Sequence, residues 1–255
     1  MQEVLAQEQV FQVPFGRRMM ELMPGPKFVL AMQDSPEYRS QRRQIMEAFR
    51  LEDIGETIAP RSAALTEEIL ARCNGRIDAI EGLLTRVPTL LCKEYYGVDF
   101  SDPKLFAQWL MAISSYLFGL PSDKPSSNAP MAREAVSRVR AVIDESIRRA
   151  KHAPAGSTTI VARLVRMQKQ GAKGPTDDMI RAELLGMLTG FVPTNTIAAG
   201  NVLDMLLRRP KFKACAEAAA LADDDECLWR CLFETMRFKP INLGPFRECA
   251  EDYTI

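Results

Sequence analysis

The 255-residue sequence lacks a net charge, a second histidine and any C-x-x-C pair: 33 basic side chains balance 33 acidic ones, and His152 stands alone. Charge balance leaves no electrostatic footprint for nucleic acid and no basic face for a membrane surface. A single imidazole has no histidine partner with which to share a metal, and its place near the end of an Arg- and Lys-rich stretch suits a helix C-terminus. The cysteines (Cys73, Cys92, Cys215, Cys227, Cys231 and Cys249) lack redox or zinc-ribbon spacing, and several stand among apolar neighbours. They are expected as mostly reduced core thiols of a cytoplasmic protein. The start, MQEVLAQEQVFQ, has no basic stretch leading into an apolar run, so no secretion signal is expected. There is no internal repeat and no low-complexity tract.

What is present is helical periodicity. A short helix over 1–8 is followed by an irregular segment over 9–33 with Pro14, Gly16, Pro24, Gly25 and Pro26. Asp34 or Ser35 then caps a helix with Pro36 at its first position. Further helices are expected over 51–73, 78–96, 103–119, 131–152 and 157–170, with a polar loop from Pro121 to Pro130. Only the end looks extended: INLGPFRECAEDYTI carries a Gly-Pro break and a Glu-Asp turn between short apolar stretches, as in a hairpin. With 47% hydrophobic residues, the chain is expected to be one mostly α unit.

Thr176, followed by Asp177 and Asp178, opens a central helix that Arg208, Arg209 and Pro210 close, an intervening length on the order of 48 Å. From Leu184 to Leu203 no residue is charged. Thr189, Pro193, Thr194, Asn195, Thr196 and Asn201 make this run too polar to cross a membrane, so a helix buried all round is expected. Pro193 removes one amide and leaves the Thr189 carbonyl without its usual partner, which makes either a local groove or a plain bend satisfied by hydroxyls. Near the end, CLFETMRFKP places Glu234 and Arg237 on one helical face, ringed by Cys231, Leu232, Phe233, Met236 and Phe238. The pair is either a partly exposed bridge or an ion pair carried into the packing.

Taken in order, EYRSQRRQIMEAF, the small-residue stretch of the central helix, E-x-x-R and FKPINLGPFRECAED resemble the bacterial cytochrome P450 family over essentially the whole chain. The resemblance implies a helical fold of that family with a small β portion, incomplete at both ends, in a single domain over 1–255. It implies haem b with its iron, a small apolar substrate, dioxygen, and electrons from a ferredoxin-type or flavin partner. Glu234 and Arg237 match the family's E-x-x-R, which is buried there, so burial is expected here. Arg42, with Tyr38 where a histidine is usual, and Arg247 match the arginines that hold the haem propionates. Gly190-Phe191-Val192-Pro193-Thr194 takes the place of the oxygen-binding groove, with Gly190 against the haem and Thr194 as the catalytic alcohol.

Expected substrate-pocket residues are Phe15, Met19, Leu22, Phe28, Phe191 and Pro193, although methionines serve equally as core filler. Two departures stand out. The family's F-x-x-G-x-x-x-C loop, source of the iron's thiolate, is missing, so no iron ligand is expected in this chain. Pro193 also replaces the groove acid. The alternatives are a peroxide-using or non-oxygen-activating haem enzyme of the same fold, and a haem-free decayed scaffold.

Overall fold

In the computed structural model, described for residues 2–119, 128–154, 156–169, 174–242, 244 and 246–254, helices begin where the sequence supplies caps. Most of the expected polar loop, residues 121–127, lies outside the described residues. α1 (Gln2–Ala6) leads through β1 (Phe11–Gln12) to α2 (Phe15–Leu22). α2 falls within the stretch expected to be irregular. It is a short amphipathic helix that buries Gly16 and Met19, and Pro24, Gly25 and Pro26 prevent its extension.

α3 (Pro36–Ala48) starts on Ser35, whose hydroxyl accepts the Tyr38 amide at 3.0 Å, with Pro36 in the first turn. α4 (Ala59–Leu70) and α5 (Arg86–Glu94) are each preceded by a π-helical turn, at Ile54–Ile58 and Ala79–Leu84, which divides stretches expected as single helices. α6 (Pro103–Phe118), α7 (Ala129–Ala150) and α8 (Ile160–Lys169) follow. α9 (Asp177–Leu207) is the long central helix, and Thr176 accepts the Met179 amide at 3.2 Å at its start. α10 (Pro210–Leu221), α11 (Asp225–Phe238) and β2 (Glu248–Cys249) complete the chain.

The core forms where α6, α7 and α9 pack together. Leu110, Ile113, Val139, Ile143, Leu184 and Leu188 are fully enclosed there. α9 is not buried all round as expected. It is enclosed as far as Val192 and Pro193, and beyond them Thr194, Asn195, Ile197 and Leu207 are exposed. The reason is packing: α5, α6 and α7 all lie against α9 and supply the main core, which ends at Val192.

The extended end does not fold back on itself. β2 pairs antiparallel with β1, Phe11 opposite Cys249 and Gln12 opposite Glu248, and the Ala250 amide donates to Val10 O at 2.8 Å. Phe11 meets the Tyr253 ring edge-on at 5.2 Å, which gives this long-range pairing an apolar anchor that a terminal hairpin would lack.

Among the described residues one ion pair is enclosed. Arg163 on α8 donates to both carboxylate oxygens of Asp53 and, at 3.0 Å, to Ala48 O, while the Tyr95 hydroxyl donates to Asp53 at 3.0 Å. The guanidinium, helped by the tyrosine, holds the Asp53 carboxyl below its usual range. No helix among the described residues is long and apolar enough to cross a membrane.

Candidate functional site

α3 and α9 are joined by the segment around residues 27–31, and three contacts fix it. Phe28 lies against Gly186, where an added Cβ would stand 2.3 Å from the ring. Only glycine allows that approach. Glu183, one turn earlier on α9, accepts the Val29 amide at 2.9 Å and the side-chain amide of Gln41. Gln41, on α3, also donates to Lys27 O at 2.8 Å. The second Glu183 oxygen has no hydrogen-bond partner among the described residues, and burial pushes this carboxyl up to about 7.

Outside these contacts lies a recess of about 230 Å³. Phe28, Val29, Tyr38, Arg42, Met46 and Met187 are among its lining residues. Tyr38 and Arg42 are one turn apart on α3 and so share a face. Arg42 is exposed and has no acidic partner among the described residues. Along α9, steps of three and four residues carry the same face from Gly186 and Met187 to Gly190 and Thr194. A Cβ added at Gly190 would meet nothing within 4 Å. Thr194 is exposed, and its hydroxyl makes no hydrogen bond to the described residues. The result is a bare strip of α9 that continues, along the helix, from the recess lined by an unpaired guanidinium and a phenol.

Pro193 is buried, and α9 continues through it without a break. Lacking an amide, it leaves Thr189 O without the donor normally found four residues on. The neighbouring polar side chains bond to backbone carbonyls: Thr189 to Leu185 O at 2.8 Å, Asn195 to Phe191 O at 2.7 Å, and Thr196 to Val192 O at 2.9 Å. Thr194 alone of this group stays unengaged.

The remaining expected residues are placed less openly. Met19 and Phe28 are core, at 2% and 1% exposure, and Phe15 packs edge-on against Phe118 at 5.0 Å. Leu22 packs against the same core, and the Phe191 ring lies 5.3 Å from that of Tyr96. Arg247 is half-buried, donates to Phe246 O at 2.9 Å, and does not line the recess that holds Arg42. A larger cavity of about 710 Å³ lies among α5, α6 and the start of α7, lined by none of the expected residues.

One expectation is overturned. Glu234 and Arg237 do pair, at 2.7 and 2.9 Å, but on the surface, with side chains 46% and 63% exposed. α11 packs on α9 and α10, and this pair stands in solvent. The cysteines also depart from expectation: Cys92 is buried, whereas Cys215 and Cys249 are exposed. Glu183 and Gln41 were not foreseen. A lone acid at the edge of a charge-free helical run is the signal that marks the former.

No family model matches the chain. It is 23% identical over 232 residues to cyclomarin C epoxidase CymV of Salinispora arenicola, covering 89% of this chain and 55% of that protein. It is 27% identical over 230 residues to cytochrome P450 130 of Mycobacterium tuberculosis, covering 89% and 53%. The chain thus spans about half the length of the curated relatives it matches. Among solved structures it superposes on ligand-free cytochrome P450 TbtJ1 with TM-score 0.70 and 24% identity, over 92% of this chain and 57% of that one. P450BioI, in complex with an acyl carrier protein ligated to hexadec-9Z-enoic acid, gives TM-score 0.76 at 14% identity, over 96% and 62%. The chain therefore has the cytochrome P450 fold over part of that fold's length, and it resembles bacterial cytochrome P450 proteins in sequence.

Proposed function

We propose that the chain is the portion of a haem-thiolate monooxygenase that carries two haem-binding arginines, Arg42 and Arg247, and the oxygen groove. The observation that carries this reading is a set of unengaged groups: Arg42, without an acid, lines a recess that reaches α9 at Gly186 and Met187, and farther along α9 Gly190 is open to space and Thr194 has a free hydroxyl. These residues fit a flat, carboxylate-bearing group. Arginine's planar fork suits a carboxylate, and a glycine at Gly190 lets a ring edge approach the helix. The described cysteines do not fit as iron ligands at this place, since none lines the recess. The thiolate would come from outside these 255 residues.

When bound, haem supplies the oxidising chemistry. Arg42 would hold a propionate, with the Tyr38 hydroxyl as a second donor, and Arg247 would hold the other. Thr194 Oγ is the proton donor on the strip, and Pro193 keeps Thr189 O free without contributing an acid. The substrate is a small apolar molecule, and electrons arrive from a ferredoxin-type or flavin protein in the cytoplasm. Loss of the acid at Pro193 favours one second reading, an enzyme of the same fold that takes hydrogen peroxide as oxidant.

Titrating the chain with haem, followed by its visible absorption, tests the propionate contact. Saturable binding that weakens about tenfold in Arg42→Ala is expected. Haem dimethyl ester, which lacks the carboxylates, should not distinguish the two proteins. Absence of saturable binding supports a haem-free scaffold, and equal weakening with the ester removes Arg42 from the carboxylate role.

A further inference from the structure

The α10–α11 hairpin carries a cluster unrelated to the α3–α9 recess. Residues 222–224 join the two helices, with Asp223 at φ +52°. Cys215 precedes this turn by as many residues as Cys231 follows it. In an antiparallel helix pair such positions face each other, and Cys231 Sγ lies 3.9 Å from Cys215 Sγ. Cys227, one turn before Cys231 on the same face, completes a group whose three sulfurs all lie within 4.8 Å of one another.

We propose that Cys215, Cys227 and Cys231 form a binding site for a thiophilic d10 metal ion of the Zn²⁺ and Cu⁺ class, bridging α10 and α11. Bonds of about 2.3 Å from a tetrahedral ion put neighbouring thiolate sulfurs about 3.8 Å apart, so one edge of the site already stands at its bound length. The donor set is sulfur only, which selects soft ions over Mg²⁺ or Ca²⁺. The sulfurs range from half-buried to exposed, which leaves an approach for the ion and a fourth position open to water.

The hairpin also has little else to hold it. Ala216, Ala219 and Thr235 are its buried residues, while Phe212, Leu221, Trp229, Phe233 and Phe238 are exposed. A bridging ion would supply a cross-link where apolar burial is thin. Burial and the adjacent Cys215 hold the Cys227 and Cys231 thiols above their ordinary range. Each ligating thiol gives up its proton as its sulfur–metal bond forms, and no electron changes hands.

The test is a titration of the reduced 255-residue chain with Cd²⁺, a spectroscopic stand-in for zinc. A thiolate-to-cadmium absorption saturating at one ion per chain is expected, with release of about three protons at neutral pH. Zn²⁺ or Cu⁺ should displace the cadmium, and whichever does so at lower concentration is the preferred member of the class. Cys215→Ser, Cys227→Ser and Cys231→Ser should each weaken binding tenfold or more, while Cys73→Ser and Cys249→Ser leave it unchanged. Circular dichroism verifies that each variant keeps its helices, and the proton count needs no variant. Absence of the absorption, an unchanged titration in Cys231→Ser, or failure of both ions to displace cadmium overturns the site. So does a reduced chain that takes up no ion and instead closes a Cys215–Cys231 disulfide on oxidation.

Discussion

At the residue scale, two Arg–carboxylate pairs of similar geometry have opposite importance. Arg237 and Glu234 stand in water, and Arg237→Ala should leave a denaturant melt almost unchanged, since exposed pairs are screened and entropically costly to order. Arg163 and Asp53 are 8% exposed each and share their hydrogen bonds with Tyr95 and Ala48. Arg163→Ala should destabilise by roughly 3–5 kcal/mol, because Asp53 would stay behind as an uncompensated buried charge. A loss below about 1 kcal/mol in the melt would move this pair into the surface class as well. The sequence made the wrong pair conspicuous. E-x-x-R is local and visible, whereas Asp53 and Arg163 are 110 residues apart and meet only because α8 packs against α3. Arg42, Tyr38 and Thr194 were singled out because their order along the chain resembles that of the cytochrome P450 family, and helix periodicity accounts for their lying on helix faces. Their openness was not legible, since exposure depends on which other elements arrive.

At the element scale, α9 was read with the correct cap and end, and its two glycines show what the reading could not separate. Gly186 and Gly190 are one turn apart in the same apolar run. At Gly186 an added Cβ meets the enclosed Phe28 ring at 2.3 Å, while at Gly190 it meets nothing. Gly186→Ala should therefore destabilise by about 1–2 kcal/mol, the strain of overpacking less the helix propensity gained. Gly190→Ala should stabilise by up to about 1 kcal/mol through propensity alone. It should also weaken haem binding, because the new methyl occupies the open strip. Thermal melts of the two variants check the opposite signs. A destabilised Gly190→Ala would mean that the strip is packed against something and is not an open face. The π-helical turns before α4 and α5 were not legible, because one inserted residue shifts helical periodicity too little to register against side-chain variation.

At the scale of the whole molecule, the main core runs from Met19 to Val192, and no later described residue joins it. Global unfolding should then report on the first three-quarters of the chain, where Glu183 sits beneath Phe28 and Val29. Burial raises this carboxyl from 4.5 to about 7, against the weaker opposing effect of its bonds from Gln41 and the Val29 amide. The folded state therefore holds the proton more tightly than the unfolded chain does. Below pH 4.5 both states are protonated and the contribution is complete. It is lost as pH rises toward 7, because folding must then accept a buried charge or retain a proton that the unfolded chain has released. A shift of this size corresponds to about 3 kcal/mol. Glu183→Gln keeps the carbonyl that accepts from Val29 and Gln41 and cannot ionise. The variant should match the native protein near pH 4 and exceed it by up to about 3 kcal/mol above pH 7. Denaturant melts of both proteins across this range measure the difference directly, and acid-labile groups such as Asp53 cancel because both proteins contain them. A constant difference at every pH would show that Glu183 titrates alike in the folded and unfolded chain, with water or another group serving its second oxygen and offsetting the effect of burial.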